Sequence, residues 1–279
     1  MVKIAVLIAC HNRRETTIEC LENLYHQKGI NEIFEVETFL VDDASTDGTS
    51  LEVDQKFPQV NILQGSGDLF WNRGMHLAWE GASKFSFDAY LWLNDDTNLY
   101  KNALTLIIKA AVNTDFKSII CGSLEETPQS KVWSYGGGSI VNNDFHKNYP
   151  KGEIKPCEII NGNCVLVPNF VFMIVGNLDY TFIHCIGDND YSLRAKKSGI
   201  LSYTTGEFIG NCESHKDLPV WCRPESSLKV RIKSLYSPLG NSRPDLYFYF
   251  INQHYGLIKA IKSYFSIHLR LFIPSLWNK

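Results

Sequence analysis

Short apolar runs alternate with amphipathic segments over the first hundred residues of the chain. Residues 3–10 are almost entirely apolar, which is typical of a strand buried on both faces of a sheet, and residues 15–27 carry apolar side chains at helical spacing. The same alternation predicts strands at 36–41, 60–63 and 88–93 and helices that end near Phe57 and Lys84. This order predicts an α/β fold with a mostly parallel sheet and helices on both faces.

Turn-forming residues predict where two of these helices begin. Ser45 or Thr46 is expected near the N-cap of the second helix, because both side chains accept hydrogen bonds from free backbone N–H groups. The third helix is expected to begin at Met75, after the glycine-rich segment Gly65–Gly74.

The second half of the chain has a less regular pattern. Short β-like segments at 118–123, 131–140, 164–168 and 171–175 indicate a mixed region. A helix is predicted from Asp188 to Lys197, and residues 200–212 return to strand character. We therefore divide the chain into residues 1–117, 118–221 and 222–279.

The last of these regions differs in charge. Residues 1–221 hold 18 Lys and Arg against 28 Asp and Glu, whereas residues 222–279 hold 9 against 2. Residues 246–273 predict one amphipathic helix, with an apolar face made of Leu257, Ile258, Ile261, Phe265, Leu269 and Phe272. Its basic and aromatic residues favour contact with an anionic membrane surface, and the alternative is packing on the rest of the protein.

The overall composition is that of a globular protein of 279 residues. Eight cysteines fit no zinc-binding spacing, and several lie in apolar runs, so we expect buried, reduced thiols in a cytoplasmic protein. No apolar stretch is long enough to span a bilayer, and the first residues do not resemble a signal peptide.

Polar clusters follow three of the predicted strands, namely His11-Asn12, Asp42-Asp43 and Asn94-Asp95-Asp96. In a parallel sheet, ligands bind beyond the carboxyl ends of the strands. Adjacent carboxylates suit a hard divalent cation, and they also occur in ordinary polar turns. Each of the two acidic clusters, Asp42-Asp43 and Asn94-Asp95-Asp96, is therefore weak evidence for a ligand site when taken alone.

The combination of motifs is more specific. The segments VLIACHNRRE, LVDDASTDGTS, LWLNDD, IGDNDYSLR and a late Ser-His resemble family 2 glycosyltransferases with the GT-A fold, over residues 3 to about 216. The resemblance implies a Rossmann-like nucleotide-binding half fused to an acceptor-binding half. It also implies an inverting displacement at the anomeric carbon of a nucleotide-linked sugar. The helical C-terminal appendage is predicted by the amphipathic pattern of residues 246–273 and lies beyond the resemblance.

The resemblance also assigns roles to residues of the nucleotide-binding half. Asp43 is expected to contact the base with Asp42 beside it, and Asp96 to bind Mn²⁺ or Mg²⁺. Asp95 is expected to contact the ribose or the donor sugar, and Asn94 stands where many relatives have Asp. The nucleotide pocket is expected to include Ala9, His11 and Asn12.

Other assignments fall in the glycine-rich segment and the second half. Asp188 matches the catalytic base, although Gly187 stands where many relatives have Glu. Asp190 is a candidate acceptor-binding residue, and helix capping is the alternative for both carboxylates. His215 is a candidate metal or phosphate ligand. Two residues of the glycine-rich segment are candidate donor contacts, Trp71 by stacking on the sugar and Arg73 by pairing with phosphate.

These observations predict an enzyme that moves a sugar from a UDP- or dTDP-linked donor to a glycan or lipid-linked glycan. We expect it at the cytoplasmic face of a bacterial inner membrane, with no nucleic acid partner. The alternatives are a non-catalytic glycan- or lipid-binding protein and a nucleotidyltransferase. The loop after the first strand lacks the glycine-rich signature of the latter class.

Overall fold

The computed structural model describes residues 1–142, 144–214 and 217–277. The strands are β1 (Val2–Cys10), β2 (Phe34–Asp42), β3 (Asn61–Gln64), β4 (Ala89–Leu93), β5 (Asn98–Leu99), β6 (Ile119–Glu125), β7 (Trp133–Tyr135), β8 (Gly138–Val141), β9 (Asp144–Lys147), β10 (Lys155–Cys157), β11 (Cys164–Pro168) and β12 (Ser202–Asn211). The helices are α1 (Arg14–Tyr25), α2 (Thr49–Lys56), α3 (Phe70–Ala82), α4 (Ala103–Val112), α5 (Asn169–Val175), α6 (Gly187–Lys197), α7 (Leu228–Leu235), α8 (Pro244–Tyr255) and α9 (Leu257–Phe272).

A single large sheet runs through both halves of the chain in the order β10-β12-β6-β11-β4-β1-β2-β3. The pairs β1–β2, β1–β4, β2–β3 and β6–β12 are parallel, whereas β11 is antiparallel to both of its neighbours. The predicted α/β class and mostly parallel sheet are therefore confirmed.

Strand β1 lies at the centre of the core. Its residues Ile4, Val6 and Ile8 pack in one apolar cluster with α1 and α4. The alternate residues Ala5 and Leu7 pack in a second cluster with α3, on the other face of the sheet. This alternation explains the apolar run, because successive side chains of a strand point to opposite faces and both faces are covered here.

Three local predictions for residues 1–221 were wrong. Residues 171–175 form part of α5 rather than a strand; a short apolar run does not distinguish the two, and Pro168 ends β11 immediately before it. Helix α2 begins after Gly48, so neither Ser45 nor Thr46 is its N-cap. Helix α3 begins at Phe70 rather than Met75.

The C-terminal region contains two helices where the sequence predicted one. Gly256 separates α8 from α9 with a φ of 89°, a left-handed conformation that glycine adopts at little cost. Phe250 and Ile251 of α8 and Ala260 of α9 pack against the segment before α6. A further cluster joins α7 and α9 through Trp221, Cys222, Leu235, Ile267 and Leu271.

None of the helices in the described ranges is long and apolar enough to cross a membrane. Of the eight cysteines, all of which lie in those ranges, seven are buried and none is disulfide-bonded.

Candidate active site

A cavity of about 610 Å³ opens at the carboxyl ends of β1, β2 and β4. Each of these strand ends supplies part of its lining, as expected from the polar clusters in the sequence. The lining residues are Ala9, Cys10, His11, Arg13, Asp43, Phe70, Trp71, Asn94, Asp95, Asp96, Tyr135, Asn163, His184, Cys212 and Leu239.

Asp43 is the buried carboxylate at the end of β2. Its oxygens accept three backbone hydrogen bonds, from Gly67 at 2.7 Å, Leu69 at 2.9 Å and Phe70 at 3.0 Å. The Asp43 carbonyl also lies 2.6 Å from Nδ1 of His11. The carboxylate therefore holds the glycine-rich segment at the cavity wall, and only about one of its four acceptor positions is left for a ligand.

Asp42 and Asn12 do not line this cavity. Asp42 accepts a hydrogen bond of 2.9 Å from the Ser45 N–H and another from the Ser50 hydroxyl. Asn12 Oδ1 accepts from the Thr46 N–H at 2.7 Å. Both residues fix the turn after β2 against the loop after β1, and this holds Asp43 and His11 in place.

The two carboxylates after β4 share one cationic partner. Nη1 of Arg13 lies 2.7 Å from Asp95 Oδ1 and 2.9 Å from Asp96 Oδ2. Asp96 Oδ1 lies 3.7 Å from the Cys212 thiol, which donates to it. Burial raises the pKa of Asp95 to about 7, Arg13 opposes that shift, and Asp96 adds to it.

Asp95 also has an unpartnered atom. Its Oδ2 is buried and has no hydrogen-bond partner among the described residues, and Asp95 as a whole is only 4% exposed. A buried carboxylate oxygen without a partner is unfavourable unless a ligand or a cation completes it. Two neighbouring carboxylates with a free oxygen fit a hard divalent ion such as Mn²⁺ or Mg²⁺.

Among the described residues, the side chains alone do not complete such a site. Within residues 1–142, 144–214 and 217–277, no three His, Cys, Asp or Glu side chains converge to hold a metal ion. A bound diphosphate has the oxygens needed to complete the coordination. His215, the other candidate ligand from the sequence, lies outside the described residues.

Asn94 connects the acidic pair to the opposite wall of the cavity. Its Oδ1 accepts a hydrogen bond of 2.7 Å from Trp71 Nε1, and its N–H donates to the Asn163 carbonyl at 2.9 Å. A Cβ atom at Gly162 would come within 2.4 Å of the Trp71 ring, so a glycine is required there. Trp71 is thereby held with its ring on the cavity wall.

Asp188 lies at the start of α6 and is half-buried, but it is not among the lining residues. Its Oδ2 accepts a hydrogen bond of 3.0 Å from the N–H of Gly162, and its Oδ1 accepts from the N–H of Asn189 at 2.8 Å. Burial raises the pKa of Asp188, and the two backbone N–H groups lower it in part. Asp188 therefore adjoins the cavity through the Gly162–Asn163 segment.

Asp190 and Arg73 point away from the cavity. Asp190 is fully buried, with Arg194 Nε at 2.8 Å and His254 Nε2 at 2.7 Å, so it joins α6 to α8. Arg73 Nε donates to the Tyr180 carbonyl at 3.1 Å, and its guanidinium lies 4.8 Å from the centre of the Tyr180 ring. Arg73 would have to leave Tyr180 to reach a phosphate in the cavity.

Four residues beside the site adopt left-handed backbone conformations. Asn12, Ala44, Phe70 and Ile186 have φ values of 50°, 57°, 57° and 80°. Such a conformation costs about 1–3 kcal/mol and is least favourable for a β-branched residue such as Ile186. Ile186 directly precedes α6, and its side chain is held in the cluster that includes Phe250 of α8.

Sequence reasoning missed several residues of the site. Arg13 directly follows the His11-Asn12 pair, so its position in the motif was an available signal. Cys212 and Leu239 gave no such signal, because they reach the cavity from distant parts of the chain. Leu239 belongs to the C-terminal region 222–279, which therefore contributes to the site as well as to the surface.

The fold and the site define the class of protein. A mostly parallel sheet with a carboxylate after β2 and an acidic pair after β4, around one cavity, is the arrangement expected of a GT-A glycosyltransferase. The family model described as glycosyl transferase family 2 matches residues 5–168. The chain belongs to glycosyl transferase family 2.

Solved structures share this fold at low sequence identity. The S. aureus TarS structure of residues 1–349 has a TM-score of 0.54 at 12% identity, covering 91% of this chain and 72% of that one. TarS in complex with UDP-GlcNAc gives 0.55 at 13% identity, with coverage of 95% and 73%. The mannosyltransferase PcManGT from Pyrobaculum calidifontis, in complex with GDP-Man and Mn²⁺, gives 0.55 at 14% identity, with coverage of 93% and 73%. Among curated proteins, none matched.

Proposed function

We propose that this chain transfers a sugar, with inversion, from a UDP- or dTDP-linked donor to a hydroxyl of a glycan or lipid-linked glycan. The observation that carries the proposal is the single cavity lined by Asp43, Trp71, Asp95 and Asp96. It places a hydrogen-bond acceptor, an aromatic face and an acidic pair around a space large enough for a nucleotide sugar.

The donor is proposed to lie across the strand ends. The remaining acceptor position of Asp43 faces the base, beside Ala9 and His11 on the nucleotide side. Trp71 offers a flat apolar surface to the sugar, and its ring is fixed by Asn94. TarS and PcManGT, which share the fold, have been solved with UDP-GlcNAc and with GDP-Man, so a uridine or other nucleotide donor is consistent with this arrangement.

The reaction is proposed to depend on Mn²⁺ or Mg²⁺ held by Asp96, with Asp95 beside it. Such an ion stabilises the negative charge of a departing diphosphate. The unpartnered oxygen of Asp95 is the feature of this chain that supports it. The presence of Mn²⁺ in the PcManGT complex is consistent with the same choice of metal.

Asp188 is proposed as the general base that takes the proton of the acceptor hydroxyl. A carboxyl group with a raised pKa is a stronger base than an ordinary aspartate. The hydrogen bond from Gly162 orients it next to the Asn163 side of the cavity. One base is sufficient for a direct displacement, and inversion follows from attack opposite the leaving diphosphate.

The C-terminal helices are proposed to hold the enzyme at the cytoplasmic face of a membrane. Helix α9 buries Ala260, Ile267 and Leu271 against the protein. Its large apolar residues on the other side are exposed, with Ile258 at 74%, Phe265 at 67% and Phe272 at 60%. Such an exposed face, flanked by Lys259, Lys262 and Arg270, is typical of an interfacial helix.

The main alternative is a protein that binds a nucleotide sugar or glycan without turning it over. Incubating the protein with UDP-GlcNAc, GDP-mannose, dTDP-rhamnose and other donors, with Mn²⁺ and candidate acceptors, separates the two. We expect release of nucleoside diphosphate with one donor, reduced to background in Asp188→Asn and unchanged in Asp54→Asn, an exposed control on α2. Saturable donor binding with no release would support the alternative.

A further inference from the structure

Arg13 occupies the position in front of the acidic pair that a metal ion is proposed to use. Its Nη1 lies within hydrogen-bonding distance of one oxygen of each carboxylate, at 2.7 Å from Asp95 and 2.9 Å from Asp96. The Arg13 side chain is 44% exposed, whereas that of Asp95 is 5% exposed. The guanidinium therefore covers the pair from the solvent side.

A guanidinium and a divalent cation compete for these two carboxylates, even where they contact different oxygens. Both carry positive charge, and like charges a few ångströms apart in a partly buried site repel each other strongly. Arg13 also stabilises the negative charge of the two carboxylates, because Asp95 is buried and has little contact with water. A metal ion that binds here in the absence of nucleotide therefore binds against the positive charge of Arg13, unless Arg13 moves away.

Arg13 keeps donors that a phosphate group can use. A guanidinium has five N–H donors, and within the described residues its hydrogen bonds use only Nη1. The side chain comes from the short loop between β1 and α1 and makes no N-cap bond to that helix. A diphosphate in the cavity thus meets free, geometrically suitable donors on a side chain that can turn.

We infer that Arg13 is an internal counter-ion that restricts metal binding until a nucleotide diphosphate is present. This inference rests on the proposed function for the identity of the diphosphate. The phosphates attract Arg13 away from Asp95 and Asp96, and the exposed carboxylates then accept the metal ion. Arg13 in this way links the binding of metal to the binding of donor.

The test measures Mn²⁺ binding to the protein alone, by calorimetry or by the electron paramagnetic resonance of free Mn²⁺. We expect Arg13→Gln to bind Mn²⁺ at least about fivefold more tightly than wild type, within the usual range of coupling between two sites. Arg14→Gln is the matched control, because Arg14 pairs with Glu52 outside the cavity and should leave the affinity unchanged.

A double variant keeps the test valid if loss of Arg13 alone destabilises the fold. Arg13→Gln combined with Asp95→Asn leaves no uncompensated buried charge, and it should bind Mn²⁺ more tightly than Asp95→Asn alone. Equal Mn²⁺ affinity with and without Arg13 in both backgrounds would overturn the inference. The proposed function is tested separately. If the inference fails but wild type releases nucleoside diphosphate from a donor, the proposed function stands. If wild type releases none from any donor, that result counts against the proposed function and not against the inference about Arg13.

Discussion

The backbone N–H of Gly162 donates a hydrogen bond of 3.0 Å to Oδ2 of Asp188. Gly162 also packs against the Trp71 ring, and the next residue, Asn163, lines the cavity. The proposed base is thereby tied to the wall that the donor sugar would contact. Asp43 and Asp96 share one cavity, and Asp188 borders it at the Gly162–Asn163 segment.

The first prediction concerns Asp188 itself. Asp188→Asn should lower the rate of transfer at least about 100-fold, the usual contribution of a general base, while the affinity for the donor stays within about twofold of wild type. Burial raises the pKa of Asp188, so this base becomes protonated at a higher pH than an ordinary aspartate would. On acidification, wild-type activity should therefore begin to fall at that higher pH. Steady-state rates and calorimetric donor binding measure both effects; a normal rate in Asp188→Asn would rule out this base.

The second prediction concerns Asp96. Asp96→Ala should remove the part of donor binding that depends on Mn²⁺ and leave weak, metal-independent nucleotide binding through Asp43. Titration with UDP in the presence and absence of Mn²⁺ measures the difference. If Mn²⁺ strengthens UDP binding equally in Asp96→Ala and wild type, the metal ion is not held by this carboxylate.

The third prediction explains why glycine stands before the proposed base. A Cβ atom at Gly187 would lie 1.7 Å from Oδ1 of Asn72. The Asn72 side chain is fully buried, and its Nδ2 donates to the Asp179 and Phe182 carbonyls at 2.8 and 2.9 Å. Gly187→Ala should destabilise the fold by about 1–3 kcal/mol, as overpacking does, and also impair transfer by shifting the start of α6. Denaturant unfolding measures the change.

Gly81→Ala is the control for that substitution. Gly81 lies in helix α3, and a Cβ atom there would meet the end of the Leu63 side chain at 3.0 Å and the Phe39 ring at an ordinary contact distance of 3.8 Å. It should leave stability close to wild type. A Gly187→Ala variant as stable and active as Gly81→Ala would show that Asn72 does not fix the position of α6.

The fourth prediction concerns the membrane surface. Ile258→Ser, Phe265→Ser and Phe272→Ser combined should reduce binding to vesicles that contain anionic lipid by at least about tenfold, because each large apolar side chain contributes about 1.5–3 kcal/mol when it is buried. Sedimentation with vesicles measures the partition. Point variants are preferable to removal of α8 and α9, which would uncover Phe182 and Ile186 next to the site.

A matched control for the surface is Phe85→Ser, which removes an aromatic residue that is 59% exposed on the catalytic part of the chain. It should bind vesicles as wild type does. If the triple variant on α9 also binds as wild type does, this face of α9 does not hold the protein at a membrane.

The fifth prediction concerns the buried contact between α6 and α8. The His254 side chain is 1% exposed and lies against Asp190. Burial lowers the pKa of His254, Asp190 opposes the shift, and Lys197 and Arg194 add to it. The unfolded chain therefore binds a proton more readily than the folded one, so the free energy of unfolding should decrease as the pH falls below about 6.5, the ordinary pKa of histidine.

Thermal unfolding between pH 8 and pH 5 measures this dependence. His254→Gln should be less stable than wild type at pH 8 and lose less stability on acidification. His26→Gln, an exposed control on the other side of the protein, should keep the wild-type pH dependence. The same pH dependence in His254→Gln and wild type would show that this histidine does not link stability to pH.

Much of the fold could be predicted because local pattern and tertiary structure agree in the first hundred residues. Strand β1 is apolar from Ile4 to Cys10 and packs on both faces, so its sequence pattern predicts a buried strand and no other element. The segment 171–175 is too short and apolar for the pattern to distinguish a helix from a strand. Gly256 interrupts an otherwise continuous helical period, and only the backbone geometry shows that the chain turns there.

The candidate site was predictable to the extent that strand ends meet at one edge of a sheet. That rule brings Asp43 and Asp96 into one cavity. It does not reveal that three backbone N–H groups already bind Asp43, or that Arg13 reaches residues more than 80 positions away. The sequence made Asp190 a candidate acceptor-binding residue, with helix capping as the alternative, and its buried contacts with Arg194 and His254 show that it joins α6 to α8.

The most direct test of the account is the position of bound UDP and Mn²⁺ in a crystal of the protein, located by the anomalous scattering of manganese. We expect a manganese peak beside Asp96 and Asp95, with the diphosphate next to it and the uracil ring near Asp43. Manganese and nucleotide bound in a different cavity, away from Asp43 and Asp96, would contradict the account.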